Sequence, residues 1–180
     1  GTLKAAAITT NGFSKVGAKA NGDGGSIVEV SPLAAAITNN LSSDARTYIG
    51  GTWNLSNGMT VSNNQVDAVD TRATSLKITA IGGSSVEVSN TISSVSDSGN
   101  TGSGIFFNNG TIVNADTLTA KSKVGVNYGK NIADTIEGLM VGLAGGNTTI
   151  TSNLNITKQN TVSLGEGAQI NTKNSQYYEA

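Results

Sequence analysis

Asp67, Asp70, Arg72 and Lys77 form the densest group of side chains in this sequence that could do chemistry. Two carboxylates beside a cation are the equipment for cleaving a glycosidic bond. One acid protonates the leaving oxygen while the other serves as base or nucleophile. All four come from one short stretch, whereas a site on stacked coils would draw them from successive repeats at one phase. The spacing therefore reads first as solvated charge on a loop or strand face. A second group, Lys121, Lys123 and Lys130 with Tyr128 among them, sets cations beside an aromatic ring. Such a set could touch a sugar or a nucleic acid. It is the candidate surface contact, weighed against an ordinary lysine-bearing face.

Most other chemistry is excluded by what the chain lacks. It has no Cys and no His among 180 residues, so thiolate sites, disulfides, zinc fingers and Ser-His-Asp triads are out of reach. No catalytic, cofactor-binding or metal-binding set is expected. With 11 basic and 12 acidic residues, there is no broad field for nucleic acid. Hydrophobic residues at 37% suffice for a core, while charged residues at 13% fall well below the usual share of about 25%. The longest apolar stretch, Leu139 to Ala144, is too short to span a membrane. No basic segment followed by an apolar run opens the sequence, so no signal peptide is expected.

The elements that must hold these residues read as strands. Alternating apolar pairs run through the chain, among them Met59/Val61, Val86/Val88, Ile105/Phe107, Leu118/Ala120, Leu154/Ile156 and Val162/Leu164. Gly, Asn and Ser clusters punctuate them, including Asn57-Gly58, Asn63-Asn64, Gly82-Gly83 and Asn108-Asn109-Gly110, and these are expected as turns. Helical patterning is confined to Leu33–Ile37 and Ile132–Met140, both short, so little helix is expected. Of the adjacent Phe106 and Phe107, one should face in and the other out. Trp53 is expected to pack in the core, and Tyr177 and Tyr178 to mark a frayed end.

A repeat decides the architecture. Gly24-Gly25-Ser26-Ile27-Val28-Glu29-Val30-Ser31 returns at Gly82 to Ser89 with seven of eight residues identical, 58 positions on. A weaker copy begins at Gly145-Gly146, and Gly51-Thr52 returns as Gly110-Thr111. Super-repeats of 24–81, 82–144 and 145–180 follow. A period near 60 suits a parallel β-helix with three turns of roughly 20 residues per repeat, giving a rod on the order of 40 Å long. The expected fold is all-β, a parallel solenoid of about three strands per coil. Inward Val, Ile, Leu, Ala and Thr fill its core, and Asn side chains bond from coil to coil. Glu29 and Glu87 share one phase and should point outward; the third copy breaks any acidic stripe there. Asn21-Gly22-Asp23-Gly24-Gly25 has too few acids for calcium and reads as a plain turn.

Gly24 to Ala35, followed by Gly50-Gly51-Thr52-Trp53-Asn54-Leu55, resembles the repeat of leukotoxin-type filamentous adhesins within the filamentous-haemagglutinin class. The resemblance is clearest over residues 24–70 and looser over 82–120. It implies a right-handed parallel β-helix, export by two-partner secretion to the cell surface or medium, and a role in host-cell attachment or leukocyte killing. The stretch would be an internal piece of a longer exoprotein. The implied partners are a host-surface protein or glycan, with end-to-end self-association through bare strand edges. The competing expectations are a β-helix carbohydrate-active enzyme using Asp67, Asp70, Arg72 and Lys77, and a trimeric adhesin or tail-spike stalk.

Overall fold

The computed structural model describes the backbone of residues 3–26, 33–79, 82–97, 100–128, 135–142 and 146–180. It describes the side chains of 3–15, 36–69, 71, 85–96, 101–126 and 149–180. The described chain is all-β and contains no helix. Its strands are β1 (Ala6–Ser26), β2 (Leu33–Ser42), β3 (Arg46–Ile49), β4 (Thr52–Asn54), β5 (Gly58–Thr79), β6 (Gly82–Ser93) and β7 (Ser96–Asp97). They continue with β8 (Asn100–Thr101), β9 (Ser103–Phe107), β10 (Ile112–Tyr128), β11 (Thr135–Gly142), β12 (Gly146–Thr157), β13 (Asn160–Leu164) and β14 (Gln169–Glu179). Both segments with helical patterning are strand wherever described, paired in parallel register with β6 and β5.

Three parallel sheets carry the fold. The first runs β1-β5-β10-β14, with β11 also on β5 and β4 on β10; the second is β2-β6-β12 and the third β3-β9-β13. Each coil contributes one long, one middle and one short strand, so the expectation of three strands per coil holds. The coil length does not. Stacked partners lie from 51 residues apart, as Leu33 and Ser84 do, to 64 apart, as Gly82 and Gly146 do. One sequence repeat is therefore one coil, not three. The reason is strand length: β5 extends over 22 residues and leaves no room for the corners of a 20-residue coil. Four strands deep, the described stack measures on the order of 15 Å along its axis, not 40 Å.

The eight-residue repeat also misleads about register. Gly24 lies opposite Lys77, not Gly82, and Asn21 to Gly25 continue strand β1 instead of turning. The side chains of Asn21 to Gly25 and all of Glu29 lie outside the described residues. Glu87 is exposed as expected, but its neighbours are Ala36 and Thr151. Asn63-Asn64, expected as a turn, sits mid-strand in β5. Asn63 points in and donates to Ala45 O at 3.0 Å and Ser122 Oγ at 3.1 Å. Asn64 donates across coils to Asn11 Oδ1 at 3.1 Å. Asn can occupy a strand here because the next coil offers its amide a partner.

The interior has two halves. Ile49, Leu55, Met59, Val61, Ile105, Phe107, Val113, Ala115, Leu118 and Ala120 form an apolar cluster, with Trp53 packed against it. The other half is polar: buried Asn39 donates to Thr71 Oγ1 at 2.9 Å and Asn90 Oδ1 at 2.8 Å. On the outside, Asn171 donates to Asn114 and Asn114 to Asn54, each at 2.8 Å, a ladder across three coils. The C-terminal strand is not frayed, since Tyr177 and Tyr178 pair with Thr119 and Ala120.

One corner repeats in every coil. Gly51, Gly110 and Gly167 have φ of +79°, +68° and +68°, a conformation that costs an L-residue about 1–2 kcal/mol. Backbone bonds stack the corners, including Ile112 N to Gly51 O at 3.0 Å and Gly110 N to Glu166 O at 2.9 Å. At Gly102 (φ +91°) a Cβ would also come 2.4 Å from Gln159 O. Gly110→Ala, with open space around it, should therefore destabilise by about 1–2 kcal/mol. Gly102→Ala should lower the urea midpoint further; equal midpoints would contradict this corner geometry.

Candidate functional site

The most densely built polar site is sealed inside the fold. It lies where the middle sheet turns into the short one, at residues 43–45 of the first coil, 94–97 and 100–102 of the second and 158–159 of the third. Asp67 reaches it from β5, and its side chain is fully buried. The expectation of solvated charge fails for this residue because Asp67 falls on the inward phase of β5, with Asn63 and Gln65. Lys158 Nζ is 3.0 Å from Asp67 Oδ2 and 3.2 Å from Asp44 Oδ1, with the Lys158 side chain 6% exposed. The ammonium also donates to Ser43 O and, at 3.3 Å, to Ser93 O.

The carboxylates are held just as closely. Asp67 Oδ1 accepts from Ser43 Oγ at 2.5 Å and Gln65 Nε2 at 2.7 Å. Asp44 accepts from Val95 N at 2.5 Å and Ser103 Oγ at 3.2 Å, and lies 3.5 Å from Arg46 Nη2. Arg46 in turn donates to Gly102 O at 2.9 Å and Val95 O at 2.5 Å, bracing the β7–β8 hairpin that extends this corner. Two carboxylates and two cations cancel formally, which is what makes their burial tolerable. Sequence reading missed Asp44 and Lys158, since nothing in the spacing of residues 44, 67 and 158 brings them together. The side chains of Asp70, Arg72 and Lys77 lie outside the described residues. Among the described residues, no group of three or more acidic side chains is placed to hold a metal ion.

The lysine segment is partly described. Lys121 Nζ sits 4.9 Å from the centroid of the Tyr177 ring and 3.5 Å from Glu179 Oε2, while Lys123 is exposed. The Tyr128 side chain and all of Lys130 lie outside the described residues. Tyr177 donates to Glu179 at 3.2 Å. That hydrogen bond, followed by the ammonium of Lys121 and the charge of Lys123, lowers the Glu179 pKa below the ordinary glutamate value. Burial raises the pKa of the Tyr178 phenol.

A third feature lies on the outer face of the short sheet. Phe106 and Phe107 face opposite ways, as expected, although both are buried. Phe107 enters the apolar cluster; Phe106 lies on the opposite face, its ring covering Gly104 and stacking on exposed Tyr48 with centroids 5.3 Å apart. The next coil carries Ser163 at this position. The smaller side chain leaves an open hollow of about 440 Å³ lined by Phe106, Phe107, Asn108, Asn109, Ser163 and Gly165. Exposed amides beside a ring edge suit a neutral, hydroxyl-rich ligand.

Neither a protein-family model, nor a curated protein, nor a solved structure matches this chain. Among the described residues, no helix is long and apolar enough to cross a membrane.

Two outcomes test the site. Lys158→Met should destabilise by about 3–5 kcal/mol in chemical denaturation, because it strands buried carboxylates. The double variant Lys158→Met/Asp67→Leu should recover much of that loss. For the exposed edge, the folded-state pKa of Glu179 lies below the unfolded one. The contact therefore stabilises above the unfolded value, and that contribution disappears as pH falls through the folded value. In an NMR titration, Lys121→Met should raise the Glu179 midpoint, and high salt should shrink the difference.

Proposed function

We propose that this chain is a structural and interaction segment of a secreted, filamentous adhesin or leukotoxin-like exoprotein, and that it acts without catalysis. The carrying observation is the stack itself: parallel strands bonded coil to coil, with side-chain ladders in register. Such a stack transmits load along a continuous hydrogen-bonded axis and repeats its outer surface at each coil. The sequence resemblance supports the same reading. So does the sealing of the acid–lysine corner, which leaves substrate no route to Asp67 through the described residues.

Its last coil is the face for stacking. Ile150, Ile156, Leu164 and Tyr178 lie opposite the buried Val86, Ile92, Phe107 and Ala120, yet they are 50%, 46%, 50% and 39% exposed. They are core-phase side chains over which, among the described residues, no further coil stacks. In sedimentation, the isolated segment should therefore form larger species as concentration rises, while Ile150→Lys/Ile156→Lys remains monomeric. A wild-type monomer at all concentrations would count against the rod reading, and a discrete trimer would favour the stalk.

The contact surface in this reading is the hollow beside Tyr48 and Phe106, and the target is a host-surface glycan. Many weak contacts on one filament would add through avidity. Beads coated with the segment should bind host cells, and both Tyr48→Ala and periodate treatment of the cells should reduce binding severalfold. Binding that survives both would remove the glycan from this account.

A further inference from the structure

The sealed corner does more than balance charge, because it holds an amine 3.0 Å from a carboxyl oxygen. We propose that Lys158 and Asp67 form an intramolecular isopeptide bond, with Asp44 as the proton-transferring catalytic residue. The third coil would thereby be joined covalently to the second.

The two oxygens of Asp67 are in different settings. Oδ1 accepts from Ser43 Oγ at 2.5 Å and from Gln65 Nε2 at 2.7 Å, so developing negative charge on it would be stabilised. Among the described residues, Oδ2 receives no hydrogen bond beyond its 3.0 Å contact with Lys158 Nζ. Oδ1 is thus placed as the carbonyl oxygen and Oδ2 as the oxygen that leaves. Asp44 Oδ1, 3.2 Å from the same Nζ, stands ready to take a proton. Asp44 is the base and not the electrophile, because Arg46 and the Val95 amide occupy its other oxygen. The three reacting side chains are 0%, 2% and 6% exposed for Asp67, Asp44 and Lys158. So dry a setting keeps bulk water away from a bond whose formation releases water.

The step balances without a co-reactant. One ammonium proton passes to Asp67 Oδ2, and the amine lone pair attacks Asp67 Cγ, with charge gathering on Oδ1. Asp44 takes a second proton from the nitrogen and delivers it to the Oδ2 hydroxyl. That group departs as water as the carbonyl re-forms. The three ammonium protons end as one on the amide nitrogen and two in water, and Asp44 returns to carboxylate. Nothing is oxidised or reduced. The inference rests on the corner geometry and not on the adhesin reading.

Intact-mass spectrometry of the purified, folded chain tests it directly. The expected mass is that of the sequence less one water, and digestion should give one branched peptide joining Lys158 to Asp67. Lys158→Arg, which keeps the cation but lacks the reactive primary amine, should have its full mass. Asp44→Asn should fold, as judged by circular dichroism, and also keep its full mass. Wild-type protein with native circular dichroism at full mass would overturn the proposal whatever the variants do. A water loss that persists in Lys158→Arg would do the same, since the dehydration would then lie elsewhere. Full cross-linking in Asp44→Asn would overturn the role of Asp44.

Discussion

Everything in this fold depends on the parallel hydrogen-bonded ladder between coils. A strand in such a ladder must find a partner of similar length and direction at about 4.8 Å on each side. Corners must therefore recur at the same place, and every side chain faces its counterpart from the next coil. The composition follows from that demand. Like charges at this spacing repel, so charge is scarce; amides bond to their own kind, so Asn accumulates on both faces. The ladder Asn54–Asn114–Asn171 and the buried pair Asn39–Asn90 are the outer and inner versions of one solution.

The same ladder explains where charge is admitted. Asp44, Asp67 and Lys158 come from three successive coils and meet at a corner, where the phase of β5 and two short loops bring opposite signs together. A cation placed there by the third coil neutralises acids from the first and second. The corner ties the stack across its axis as well as along it. This coupling makes Lys158 costly to lose, although it sits in a two-residue connection between strands.

Much of the fold is legible in the sequence. Alternating pairs such as Met59/Val61 and Leu118/Ala120 mark the inward phase, and Gly51-Thr52 with Gly110-Thr111 marks the corner of positive φ. The third corner, at Gly167, lacks the Thr and so escapes notice. Coil length is not legible, because a period states how often a pattern returns and not how many turns the chain makes in between. Register is obscured for a related reason: β1 and β2 stack at 51–53 residues while their motifs repeat at 58, so identical residues need not be neighbours. Of the candidate site, only Asp67 was visible beforehand, and its burial was not. Whether an acid faces in or out depends on the phase of a strand, and its partner lies 91 positions away.

The coil of about 58 residues is the central claim, and the absence of native Cys makes it directly testable. Thr60 and Thr119 are in-register neighbours on β5 and β10, at a spacing a disulfide can bridge. The paired substitutions Thr60→Cys and Thr119→Cys should oxidise rapidly and completely to an intramolecular disulfide in the folded chain. Asn40→Cys with Thr60→Cys, the spacing of a 20-residue coil, should not. The reverse outcome, with the 20-residue pair closing and the 59-residue pair remaining reduced, would contradict the account.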